Sequence, residues 1–211
     1  MRSDDSATFT EQARRAQIVA AAIEVIAKGG YPQASLAKIA EHIGVAKSVV
    51  LYHFKTKSDI MEAIVNDVFA RGAAVIVPAI AEQSSEAGKL AAYIRSNIAF
   101  IDSDHTAAIA VLEIVTSYRT SDGLNFNEAA AKATQENPPV GALALLDPQT
   151  IFEEGVRNGE FLSLSPEFMK NALRGALDGA VWSLSRDPDY NLVGYGEELV
   201  EIFDRATRSS R

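Results

Sequence analysis

The chain has 211 residues, is 47% hydrophobic and 23% charged, carries a net charge of −8 and contains no cysteine, an ordinary composition for a globular protein of one or two domains. The lack of cysteine excludes disulfides, thiol catalysis and cysteine-ligated metals, and suits the reducing cytoplasm where the chain is expected to work. No basic segment leads into an apolar run, so no signal peptide is read, and no apolar stretch is read as a membrane span.

Residues 1–9 are polar and read as an arm that is disordered without DNA. Arg2, Arg14 and Arg15 lie where an arm and first helix could reach phosphates or a minor groove. Thr10 can cap a helix running to about Lys28, with Ile18, Ala22, Val25 and Ile26 as its buried stripe. Gly29-Gly30 ends it, since glycine tolerates the left-handed conformation that closes helices. Tyr31-Pro32 then leads to Ser35, a good N-cap. Leu36, Ile39, Ala40 and Ile43 follow the i, i+3, i+4, i+7 pattern of an apolar helix face. Gly44 supplies a turn. Val45, Val49 and Val50 begin a second apolar face, which leaves Lys47 and Ser48 outward. Two short helices about a glycine turn are the sequence picture of a helix-turn-helix, whose second helix enters a DNA major groove.

These residues also carry a resemblance. Gly30-Tyr31, Ala34-Ser35, Ile39-Ala40, Gly44-Val45, His53-Phe54, Lys57 and Ile60 fall in register, without a gap, on the pattern of the tetracycline-repressor-like (TetR) family of bacterial regulators. The resemblance covers about fifty residues. It implies DNA contacts from Ser35, Lys38, Lys47, Ser48, Val49, Tyr52, His53 and Lys57. Three departures stand out. Ala46 occupies the recognition-helix N-cap, where Ser or Thr is usual. Leu51 replaces a tyrosine, so a phosphate contact there is not carried over and Tyr52 substitutes. Ala37 stands where some members place a cation, which leaves Lys38 as the nearest.

Further along, Thr56 and Asp59 form a capping box for a helix with Ile60, Ile64 and Val68 at a four-residue period. Pro78 is expected to end or kink it after Val77. Leu90, Ile94 and Ile101 mark the next helix. His105 to Arg119 is apolar nearly all round, the pattern of a centrally buried helix. Ser121-Asp122-Gly123 reads as a turn, residues 134–141 as a loop, and Gln149 to Asn158 as a short helix stopped by Gly159. Pro166 to Arg186 has a bulky stripe (Leu173, Leu177, Val181, Leu184) and a small-residue face (Ala172, Gly175, Ala176, Gly179, Ala180, Ser183). The last helix, about Gly194 to Arg208, repeats the apolar pattern at Leu199, Ile202 and Phe203. The final two helices could simply cap the core of a single chain; they also resemble the pair with which TetR-like proteins build a four-helix homodimer interface, as does the Gly155…Gly159-Glu160-Phe161 lead-in. That resemblance places the dimer contact on the small face together with Leu199, Ile202 and Phe203.

Charge supports a DNA-facing module on a regulatory body, residues 1–57 and 58–211. The first carries +3 and the second −11, a basic module on an acidic body. Catalysis finds no constellation. The histidines His42, His53 and His105 lack metal-ligand spacing, and there is no phosphate loop or nucleophile elbow. No cofactor is expected. The competing reading, a helical protein–protein adaptor, does not require a basic module. The expectation is therefore an all-α protein of nine or ten helices. It is read as a homodimeric regulator that represses from a pseudo-palindromic duplex until a small-molecule effector releases it, with activation or ligand independence as variants. Glu113 is a carboxylate in an apolar helix and needs a partner. Either it pairs with a cation such as Arg95 or Arg157, or it reaches solvent, or it lines an effector pocket with Phe100, Phe152 and Trp182.

Overall fold

The computed structural model describes residues 9–120, 122–136 and 141–208. Residues 1–8 of the expected arm, Ser121 of the expected turn and 137–140 of the expected loop lie outside the described residues, while Phe9 and residues 134–136 are helical rather than arm and loop. Among those described there are ten α-helices and no β-strand, only the isolated bridges Arg119–Asn125 and Phe161–Arg208. The helices are α1 (Phe9–Gly29), α2 (Leu36–His42), α3 (Lys47–His53), α4 (Lys57–Ala81) and α5 (Glu86–Ser103). They continue with α6 (His105–Ser117), α7 (Phe126–Glu136), α8 (Pro148–Arg157), α9 (Pro166–Arg186) and α10 (Leu192–Thr207). Short 3-10 turns occupy Tyr31–Gln33 and Gly141–Leu146.

The chain forms two units, Met1–Val68 with Ala110–Ala129, and Phe69–Ile109 with Ala130–Arg211. This differs from a single boundary at 57/58. The first part of α4, to Val68, belongs to the first unit, and residues 110–129 return to pack with it, as the Tyr31–Tyr118 ring contact shows.

In the first unit α1, α2 and α3 pack on one another. Ile18, Ala22 and Ile26 of α1, Ile39 of α2, Val50 of α3 and Phe54 after it are 2% exposed or less. Each such aliphatic or aromatic side chain contributes about 1.5–3 kcal/mol by leaving water. In the second unit α5 packs on α8, α9 and α10, and α8 and α10 pack on α9. Tyr93 and Ile94 of α5, Phe152 of α8, Leu173 of α9 and Phe203 of α10 belong to its core. Glu160 fastens two parts of it. Its carboxylate accepts the amides of Glu86 at 2.9 Å and Ala87 at 2.8 Å, capping α5 with a charge of the favourable sign.

Several elements differ from the sequence reading. Helix α1 starts at Phe9, so Thr10 lies inside it rather than capping it. Helix α4 passes through Pro78 to Ala81, because a proline near the end of a long helix removes only one donor. Against the expectation of no candidate membrane span, α4 is long and apolar enough to cross a membrane by length and composition. Its Ile60, Ile64, Ile76 and Ile80 are nonetheless buried against protein. Helix α6 stops at Ser117 and is not buried all round. Ala107, Ala110, Leu112 and Ile114 face the interior, while Val111 and Val115 stay half-buried. Helix α7 was not anticipated. Its signal is a capping box in which Asn125 Oδ1 accepts the Glu128 amide at 2.9 Å and Glu128 Oε2 accepts the Asn125 amide at 2.7 Å.

Candidate nucleic-acid interface

Two caps and one glycine place the two short helices. Ser35 Oγ accepts the Lys38 amide at 3.2 Å and starts α2. Gly44 takes φ 67°, where a side chain would be strained, and Val45 N–H closes back on the Ala40 carbonyl at 2.9 Å. Ala46 is the N-cap of α3 and offers no side-chain bond. The first turn of α3 therefore presents backbone amides that no side chain caps, together with the exposed Lys47 and Ser48. Val49 is half-buried and Val50 anchors the helix from below.

The far end of α3 is tied down. Lys55 Nζ donates to the carbonyls of Leu51 at 3.3 Å and Tyr52 at 3.4 Å. Arg15 donates to the His53 carbonyl at 2.5 Å and lies 4.2 Å above the Phe54 ring, so it serves the fold rather than a free phosphate. Arg14 donates to Gln17. Tyr52 is 65% exposed, its hydroxyl donating to Glu11 at 3.2 Å and its ring perpendicular to His53. Lys38 is exposed, 3.5 Å from Gln33 Oε1. Thr56 and Asp59 form the expected capping box at the start of α4, and the Thr56 bonds lower the Asp59 pKa.

Lys57, the expected phosphate contact, has other partners here. Its ammonium donates to the Tyr31 carbonyl at 2.5 Å and sits 3.8 Å over the Tyr31 ring. Burial lowers its pKa. Glu113 also turns to Tyr31, accepting its amide at 3.2 Å.

Residues 18–64, which hold the helix-turn-helix and its supports, match the family model described as bacterial regulatory proteins, tetR family. The match runs beyond this module. The fatty acid metabolism regulator protein of Bacillus subtilis (strain 168) is 29% identical over 190 residues, 88% of this chain and 91% of that protein. Residues 18–64 belong to the tetR family of bacterial regulatory proteins. The chain is a DNA-binding transcriptional regulator. Among solved structures, the regulator FadR of Bacillus subtilis in complex with stearoyl-CoA is 27% identical, with TM-score 0.66 over 90% of this chain and 98% of that one. A tetR-family regulator from Rhodococcus RHA1 shares the fold at 20% identity, with TM-score 0.72 over 94% and 98%.

In the body of this regulator, the residues expected at a dimer contact fall into two groups. Ala172 and Gly175 are exposed, Ala176, Gly179 and Ser183 half-buried, and Ile202 57% exposed. Ala180, Leu199 and Phe203 are instead buried within the second unit, because the inner faces of α9 and α10 must cover α5. Two aromatics missed for this face extend it. Phe168 is 68% and Trp182 42% exposed. With Ala172, Gly175 and Gly179 they follow i, i+4, i+7, i+11, i+14 along one side of α9, a spacing readable from the sequence. A side chain added at Gly175 would meet nothing within 4 Å.

Each of the four residues grouped as an effector pocket has its own surroundings within its unit. Phe152 is 1% exposed and packs against Phe161 and Phe203. Phe100 rests on Gly72 of α4, Trp182 is on the outer side of α9, and Glu113 is engaged by Tyr31 within the first unit. The alternative cation partners are also taken, Arg95 by Glu197 and Arg157 by Glu154.

Proposed function

We propose that this regulator is a homodimeric repressor that grips a pseudo-palindromic duplex with two copies of α3 and leaves it on binding a long-chain acyl-coenzyme A. The observation that carries the effector class is the 29% identity to a fatty acid metabolism regulator across 88% of this chain, which extends through the body and not only the DNA module. The neighbour at 27% identity with stearoyl-CoA bound adds to it. The dimer contact is assigned to the row from Phe168 to Trp182 on α9, with Ile202 beside it. Two-fold symmetry then sets half-site centres about 34–36 Å apart in the usual spacing.

Base edges are assigned to Lys47, Ser48 and Val49, and phosphates to Ser35, Lys38, Tyr52 and His53. Lysine can donate to guanine O6 and N7, and a good contact of this kind discriminates by about 1–3 kcal/mol. Lys47→Ala is expected to weaken binding to the selected duplex by that amount while leaving a scrambled duplex nearly unaffected. Anisotropy titrations on the two duplexes read the difference, and equal losses on both would move Lys47 to the backbone contacts.

For the effector, stearoyl-CoA should release operator DNA at concentrations where coenzyme A alone and free stearate do not. Release at equal concentrations by free stearate would replace the thioester with a fatty acid. No release by any of the three would remove this effector class. DNA binding would stand in either case.

A further inference from the structure

We propose that Glu113, far outside the helix-turn-helix in sequence, is a positioning residue for DNA binding: from α6 it holds the Gly30–Tyr31 turn that joins α1 to α2, and with Lys57 it closes a clasp on Tyr31. The inference rests on the family's DNA-binding role and not on the effector reading.

The connector is short and has one residue that can be held from all sides. Helix α1 ends as Gly30 N–H donates to the Ile26 carbonyl at 2.7 Å, and Gly30 turns the chain at φ 78°. Tyr31 opens the 3-10 turn, whose Ala34 amide returns to the Tyr31 carbonyl at 3.2 Å, and Ser35 then caps α2. Any shift of Tyr31 therefore moves the start of α2 and, through the Gly44 turn, the outward face of α3.

Both backbone groups and the ring of Tyr31 have partners outside the connector. Its amide donates to Glu113 Oε2 at 3.2 Å. Its carbonyl accepts Lys57 Nζ at 2.5 Å, and the same ammonium lies 3.8 Å over the ring, a cation–π geometry. Tyr118, one turn beyond Glu113, meets the ring edge-on at 6.2 Å and 84°. A carboxylate in an apolar helix is costly without a donor, and this one is spent on a backbone amide. It also crowds residue 30, whose φ of 78° already disfavours a side chain. A Cβ on Gly30 would sit 3.3 Å from Glu113 Oε2.

A clasp and a phosphate contact differ in their salt dependence, because only a phosphate contact releases counterions. The test is anisotropy titration across a salt series, on a duplex that the wild type selects from a random library, with no effector present. Glu113→Ala is expected to weaken binding by about tenfold or more with the wild-type salt slope, a coupling of the size seen when residues share a partner. Glu113→Gln keeps an acceptor oxygen for the Tyr31 amide and should stay within about twofold of wild type. Lys57→Met should also weaken binding at unchanged slope. Combined with Glu113→Ala, it should cost less than the product of the single losses, since both act on Tyr31. If Glu113→Ala does not fold by circular dichroism, Glu113→Met, of similar volume and without a charged acceptor, replaces it. Wild-type affinity in the variant lacking the acceptor would overturn the proposal. So would a loss in Glu113→Gln as large as that in Glu113→Ala. A salt slope smaller by about one in Lys57→Met with multiplying losses would overturn it as well, since that is the mark of an independent phosphate contact.

Discussion

Gly175→Arg combined with Trp182→Asp is expected to yield a monomer whose operator affinity is lower by a factor of about 10² or more, the size of the gain when two linked contacts bind one site. Along one side of α9 the row reads Phe168, Ala172, Gly175, Gly179, Trp182, with large rings at the ends and small residues between, of which Gly179 is half-buried. Small residues let a second helix approach closely, and the rings supply apolar area at either end. Within the chain Gly175 has open space above it, so the arginine is harmless to the single chain and clashes only with a partner. Trp182→Asp removes an exposed aromatic and adds a desolvation cost to any contact made there. Multi-angle light scattering reads the mass and anisotropy the affinity. A variant that remains dimeric and binds at wild-type strength would place the dimer contact on another face.

Gly155→Ala is expected to destabilise the second unit by about 1–3 kcal/mol or more, the cost of forcing atoms into a packed core. A Cβ at residue 155 would lie 2.1 Å from Phe161 Cδ2 and 2.5 Å from Cε2, well inside contact distance. The ring cannot simply withdraw. Phe161 N–H donates to the Gly155 carbonyl at 2.8 Å, and its ring is 5% exposed and packs on Phe152. The neighbouring Glu160 holds the α5 amides, so displacing this turn also threatens a cap, typically about 1 kcal/mol. Urea unfolding followed by circular dichroism should show a lower midpoint in the variant. An unchanged midpoint would mean that Phe161 has a second resting place.

Much of the DNA module was legible because its determinants are local. Ser35, Gly44 and the Thr56–Asp59 pair act within four residues of themselves, and the periodic apolar faces of α2 and α4 need no knowledge of what covers them. Pro166 to Arg186 was bounded correctly for the same reason: Ser165 accepts the Phe168 amide, and the helix ends where its apolar stripe ends. Helix α7 was equally local and was missed, since Asn125 and Glu128 are a capping box that simply went unread.

Other features depended on residues distant in sequence. The composition of α9 and α10 marks both of their apolar faces but not which one the chain itself covers. The structure assigns Ala180, Leu199 and Phe203 to the core and leaves Phe168, Ala172, Gly175 and Ile202 outside. The sequence by itself determined that the chain is helical, where most helices begin, and that Lys47 and Ser48 stand outward on the second helix of the helix-turn-helix. It also marked Glu113 as a carboxylate among apolar residues that, if buried, needs a partner. Only the tertiary structure decided that the partner is the Tyr31 amide, 82 positions away, and that Lys57 turns to the same residue. A helix propensity or a cap acts over one turn of backbone, whereas those contacts exist only once α4 and α6 have packed beside the α1–α2 connector.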